Sequence, residues 1–200
     1  MKKIVKKWIA SLRSNDEISQ DLLSVYAYGM NILLEIAISV IITLIAAAWM
    51  GQVKEVIIVY FIVFLIRSYG GGFHFENFRS CLLVSVGFVI LILIIHKYMV
   101  LSDISRFIGF NVSIGYMMVK GLTKDPNRNY AEKEEKYYND IVRLISLIIF
   151  CAVYILARLG HNAFSRLLSI TICMLALSKI AGDIRYKIFV RKHQKKGGCP

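Results

Sequence analysis

Apolar residues in this chain come in long, nearly unbroken runs, not in the short alternations or narrow stripes of a water-soluble domain. Six runs stand out, roughly Val25–Met50, Val53–Ile66, Cys81–Leu101, Ile104–Val119, Ile141–Leu159 and Ala163–Ile184. A helix needs about 20 apolar residues to cross a bilayer core, with a range of about 17–25. The first, third, fifth and sixth runs meet that length. The second and fourth are short, and Gly109, Asn111, Ser113 and Gly115 dilute the fourth. Short or polar segments survive in a membrane when other helices or a wet cavity surround them. The pattern predicts an all-α polytopic membrane protein of about six transmembrane helices, two of them short, with four as the smaller count.

Composition and charge sharpen that reading. Hydrophobic residues make up 57% of the 200 residues, above the 45–50% usual for a soluble domain. Such a composition excludes a disordered chain, and four cysteines are too few for a disulfide scaffold. The net charge is +12. In a nucleic-acid-binding protein basic residues interleave with the fold, whereas here they fall between the apolar runs, so no nucleic-acid partner is expected. With six crossings both termini share one side, and that side holds 20 of the 25 basic residues. The other five are Lys54, Lys97, Arg106, Arg158 and Arg166. The positive-inside rule then places both termini on the cytoplasmic side of the membrane.

The chain reads as one membrane-embedded domain over residues 1–200. Ile4, Val5, Trp8, Ile9 and Leu12 recur at helical spacing opposite lysines, which predicts an amphipathic interfacial helix over 1–14. This segment lacks the compact apolar core and cleavage site of a signal peptide. Ser14-Asn15-Asp16-Glu17 reads as a capping box that starts the next helix. Residues 121–140 form a polar stretch with a turn at Asp125-Pro126-Asn127. Within it, Glu132–Lys136 pairing marks a solvated start to the fifth helix. Residues 191–200 read as a flexible basic tail.

The chemistry lies in Arg67-Ser68-Tyr69-Gly70-Gly71-Gly72-Phe73-His74-Phe75-Glu76-Asn77-Phe78-Arg79-Ser80-Cys81. Three consecutive glycines are costly in a helix and should end or loosen the second one. His74 follows at once, and Cys81 opens the third run. A cysteine becomes a strong nucleophile as the thiolate, and a nearby histidine can take its proton. On one straight helix the two would stand about 10.5 Å apart along the axis, beyond hydrogen-bond reach. Cooperation therefore requires a bend, which the glycines permit. A helix starting near Cys81 would bring its free N–H groups to the sulfur and favour the thiolate. One His and one Cys leave a zinc site two ligands short, so neither metal nor cofactor is expected.

The pattern R-x-Y-x-G-G-x-H-x(6)-C over Arg67–Cys81 resembles the accessory gene regulator B (AgrB) family of bacterial membrane peptidases. The basic N-terminus, the six apolar runs and the polar loop from Pro126-Asn127-Arg128 through Glu134-Glu135-Lys136 are also similar to that family. Many members carry Pro after the basic residue, where this chain has Asn129, a departure confined to a loop. The resemblance implies a cysteine endopeptidase that processes AgrD, a short propeptide with an acidic C-terminal tail, into a cyclic quorum-sensing peptide. Matched residue by residue, Cys81 corresponds to the nucleophile and His74 to the base. The implied reaction removes the propeptide tail through a thioester on Cys81, then transfers the acyl group to an internal Cys or Ser to close a thiolactone or lactone ring. A homodimer is implied as well. The basic cytoplasmic face would attract an acidic tail.

Other residues carry weaker signals. Glu76 and Asn77 lie between the pair and are candidates to orient His74. Arg67 and Arg79 are candidates to hold a carboxylate or an oxyanion, although interfacial snorkelling explains them equally well. Glu35 falls inside the first run, where Ile36–Met50 could span and leave it near the cytoplasmic surface. Cys151 and Cys173 read as packing residues, and Cys199 sits in the tail. His96, His161 and His193 are expected at headgroup level or in the tail. A competing reading is a non-enzymatic membrane peptide exporter or binding module in which His74 and Cys81 are structural.

Overall fold

The computed structural model describes residues 20–71, 78–99, 102–123 and 131–195, with the backbone alone at 20–28, 31–32, 78–79, 189 and 192–195. The interfacial helix predicted over 1–14 and the capping box at Ser14–Glu17 lie outside the described residues; of the tail predicted over 191–200, residues 191–195 are helical and continue the last helix, and 196–200 lie outside the described residues. Among the described residues there are six helices and no strand. They are α1 (Gln20–Met50), α2 (Val53–Gly70), α3 (Phe78–Tyr98), α4 (Asp103–Lys120), α5 (Glu132–Arg158) and α6 (Asn162–Lys195). Each predicted apolar run falls on one helix. The differences are at the ends: α5 starts well before its apolar run, with Glu132, Glu134 and Glu135 in its first turn. Carboxylates there complement the positive end of the helix dipole.

Four helices are long and apolar enough to cross a membrane, through Leu33–Met50, Ser80–Tyr98, Glu132–Arg158 and Asn162–Ile188. The other two, α2 and α4, are 18 residues each, or about 27 Å long. Each carries three charged residues, Lys54, Glu55 and Arg67 on α2 and Asp103, Arg106 and Lys120 on α4. Neither is enclosed, contrary to the expectation for short or diluted segments: each buries one face and leaves the other exposed, with Phe61 and Phe64 on α2 and Ile108 and Val112 on α4 turned outward. Their buried positions recur three or four residues apart: Val56, Val59, Val63, Ile66 and Gly70 on α2, and Arg106, Phe110, Ile114 and Met117 on α4. That spacing keeps one face of a helix against its neighbours.

The centre of the bundle is α6, which packs against α2, α3, α4 and α5, while α1 rests at the edge on α2 and α3. Leu167 through Ile172 are all buried, a helix surrounded on every side. The hydroxyls in this stretch are satisfied by backbone carbonyls. Ser165 donates to Val153 O at 3.1 Å, Ser169 to Ser165 O at 2.8 Å, and Thr171 to Leu167 O at 2.8 Å. Small hydroxylated residues let helices approach closely where water cannot serve as a partner.

The exterior is apolar. Ile41, Ile45, Phe61, Phe64, Ile108, Val112, Leu147, Ile148 and Ile155 all face outward, and Trp49 is 91% exposed. A surface of this kind needs lipid or another protein against it. Cys151 belongs to this exterior, contrary to the packing role expected of it. The buried stripe of α5 runs through Val142, Ser146, Ile149 and Val153, and a residue two beyond Ile149 lies about 200° around the helix. Cys173 is half-buried and touches α4, its Sγ 3.6 Å from where a Cβ on Gly109 would lie.

The turns divide the bundle into two ends. At one, Gly51 and Gln52 join α1 to α2, and Lys97 Nζ donates to Met50 O at 2.7 Å. At the other, α2 stops at Gly70 because Gly71 turns left-handed, with φ +67°. Thr123 N donates to Gly70 O at 2.9 Å, and a Cβ on Gly71 would lie 2.5 Å from Thr123 O. Gly71→Ala is therefore expected to destabilise the protein by about 1–3 kcal/mol, read as a lowered unfolding temperature in detergent. Gly115→Ala, on a helix with nothing within 4 Å of the new methyl, should not lower it.

Candidate active site

The end of the bundle that holds Gly70 also holds the first turn of α3. Cys81, the fourth residue of that helix, is 8% exposed. It is a free thiol, as are Cys151 and Cys173. Arg67, in the last turn of α2, is half-buried and interacts electrostatically with both Cys81 and Glu35. Arg67 and Cys81 also share a cavity of about 270 Å3 that continues between α3 and α6. Three elements thus line the cavity at the thiol: the start of α3, the end of α2 and the facing stretch of α6; Glu35 of α1 is half-buried and acts electrostatically on Arg67.

The predicted residues divide accordingly. Arg67 and Cys81 come together. His74, Glu76 and Asn77 fall between α2 and α3, outside the described residues, as do Pro126, Asn127 and Arg128 between α4 and α5. Arg79 is in the first turn of α3, with its side chain outside the described set. His96 lies in the last turn of α3, at the span end, and is buried against protein, not exposed for headgroup contact, with Arg166 and Glu55 as electrostatic neighbours.

What holds this end together is a lysine. Lys179 of α6 is buried, and its Nζ donates to Gly70 O at 3.2 Å and to Gly121 O. These carbonyls close α2 and cap α4. A helix C-terminus carries partial negative charge on its unpaired carbonyls, so one ammonium serves two helix ends. Asp183, one turn further along α6, adds a carboxylate that accepts from Tyr116 OH at 2.6 Å. Gly121 is left-handed with φ +60°, and a Cβ there would collide with the Asn139 side chain of α5. Asn139 Oδ1 accepts from Leu122 N at 2.6 Å. Arg143 Nε donates to Met118 O at 3.2 Å. The segments leading into both undescribed connections are thereby tied to α5 and α6.

Sequence reasoning counted Lys179 only as a topological charge, ranked Glu35 low and did not single out Asn139. The signals were present for two of them. Glu35 is a carboxylate inside an apolar run, and Lys179 is a cation inside another with Asp183 four residues on. Ionisable groups so placed face a partner or a cavity by default.

A family profile described as accessory gene regulator B matches residues 5–179, a span that includes Glu35, Arg67, His74, Cys81 and Lys179. The chain belongs to the accessory gene regulator B family. No curated protein and no solved structure gives a match. Family membership places the chain in the processing of the agr quorum-sensing propeptide and implies an AgrD-like partner. The four long apolar helices agree with the family in making this a membrane protein.

The lysine contacts carry a prediction. Lys179→Met removes both charge-assisted hydrogen bonds; Gly70 O keeps the Thr123 N–H, and Gly121 O loses the ammonium that it accepts from. The expected loss is about 2 kcal/mol, measured by thermal unfolding in detergent. Lys187→Met, at an exposed position of the same helix, should leave the unfolding temperature unchanged.

Proposed function

We propose that this protein is a membrane cysteine endopeptidase that cuts the C-terminal tail from an AgrD-like propeptide and closes the remaining peptide into a ring. The observation that carries this reading is the Cys81 thiol, buried in the first turn of α3 at the wall of a cavity, with the Arg67 guanidinium beside it. The separation of α2 from α3 supports the partnership with His74. Gly71 ends α2, so Cys81 stands on a separate helix and not on a continuation of the α2 rod.

His74 takes the proton from Cys81 Sγ, and the thiolate attacks the carbonyl of the scissile bond. The bond to the tail breaks, His74 returns the proton to the leaving amine, and the peptide remains as a thioester on Cys81. A Cys or Ser side chain within the same peptide then attacks the thioester carbonyl. Its proton passes to His74, the ring closes, and Cys81 Sγ leaves and is reprotonated. The second attack is intramolecular, so it outruns hydrolysis at a site that excludes water. Arg67, with Glu35 as an electrostatic neighbour, is assigned to the oxyanion or to a carboxylate of the substrate. Arg79, Glu76 and Asn77 complete the orienting set. The site and both termini face the cytoplasm in this reading, six helices cross the bilayer, and the homodimer that the family resemblance implies belongs to it.

Replacement of the two reacting groups tests the proposal. Cys81→Ala should abolish propeptide cleavage and any covalent peptide adduct. His74→Ala should slow cleavage by about 10²–10⁴-fold. Both variants should still insert in the membrane. Cleavage by Cys81→Ala at the wild-type rate would defeat the reading in favour of a structural thiol in an exporter or binding module.

A further inference from the structure

The cavity at Cys81 extends beyond the reacting atoms. Its α3 wall is formed by Cys81, Val84, Ser85 and Phe88. Residues three, four and seven apart share one helix face, so this wall runs about 10.5 Å inward from the thiol. The opposite wall is α6, from Met174 and Leu175 to Ser178 and Ala181. Arg67 supplies the one charged group in the lining, and it stands at the Cys81 end. Past it the lining is apolar apart from the hydroxyls of Ser85 and Ser178. A volume of about 270 Å3 is at or below the lower limit of drug-sized pockets, which begin near 300 Å3. It has room for one or two side chains.

We infer that this groove is the acyl-side specificity pocket of the reaction proposed above, and that it selects large apolar side chains in the one or two residues immediately before the scissile bond. The inference rests on the thioester reading. A carbonyl bonded to Cys81 Sγ lies at the mouth of the groove, so the side chain of the same residue enters it. A charged side chain would lose its hydration there without a partner beyond Arg67. An apolar one fills the groove and displaces water from beside the thioester. Hydrolysis then loses its reactant while the internal nucleophile keeps its place. One groove thus sets which peptide is accepted and favours ring closure over release of a linear product.

The test uses the full-length protein in lipid nanodiscs and AgrD-like propeptides carrying Leu, Trp, Ala or Asp immediately before the scissile bond. The wild type should cleave the Leu form at least about 10-fold faster in kcat/KM than the Ala form, and the Asp form slowest, in keeping with the discrimination apolar pockets achieve. Ser178→Leu and Ser85→Leu fill the groove and should each lower the Leu-to-Ala ratio at least about 10-fold. Phe88→Ala enlarges it and should raise the Trp-to-Leu ratio. Opposite shifts from filling and enlarging cannot come from general destabilisation, which slows every substrate alike. Ratios unchanged in all three variants, with cleavage still dependent on Cys81, would overturn the pocket alone; that result also covers a groove occupied by lipid. Cleavage that persists in Cys81→Ala would overturn the thioester reading and the pocket with it.

Discussion

A buried ammonium between two helix ends organises the functional end of this protein. Lys179 sits in the most enclosed helix of the bundle, where an isolated cation would be strongly disfavoured. It is tolerated because α2 and α4 both finish there and present the carbonyls of Gly70 and Gly121. The benefit is mutual, since carbonyls at the end of a buried helix also lack partners. Two left-handed glycines follow those carbonyls or carry them. At both, a side chain would meet neighbouring atoms, the Thr123 backbone at Gly71 and Asn139 at Gly121. The chain thus leaves α2 and α4 with their ends tied to each other, Thr123 beyond α4 donating to Gly70 O and Lys179 bridging the two.

That arrangement has consequences for reactivity. The Cys81 thiol is buried in the first turn of α3 and shares its cavity with the Arg67 guanidinium; in the proposed reaction both the helix start and the guanidinium favour the thiolate. In the proposed reaction the same enclosure serves twice. It strengthens the electrostatics around the sulfur, and it keeps water from the acyl intermediate until the internal nucleophile arrives. Arg67 feels the charge of Glu35 on α1 and shares a cavity with Cys81 on α3, which relates the three helices at this end.

The bundle also separates two kinds of apolar surface. The inner one is interrupted on α6 by Ser165, Ser169 and Thr171, whose hydroxyls return to backbone carbonyls, and it lets α6 touch four neighbours. The outer one is formed by large side chains such as Trp49, Phe61, Phe64 and Leu147, with no polar relief. The groove between α3 and α6 is where the two surfaces meet near Cys81. An apolar peptide segment can enter there without exposing a polar lining to lipid.

Local pattern by itself determined much of this protein. The lengths of the apolar runs place all six helices, because a helix long and apolar enough for a bilayer needs no distant information to be recognised. The glycine run ends α2 for a backbone reason that is equally local, and Cys81 opens the third run and lies in the first turn of α3. The motif from Arg67 to Cys81 identified the family that the profile match then showed. The tertiary structure alone decided which helix faces which. The approach of Glu35 to Arg67, the docking of Lys179 on Gly70 and Gly121, the outward turn of Cys151, and the pairing of Val84–Phe88 with Met174–Ala181 all join residues far apart in the chain. In an apolar run nearly every face is hydrophobic, so periodicity does not mark the inner one. Only packing against neighbours, and the need of each buried charge for a partner, selects it.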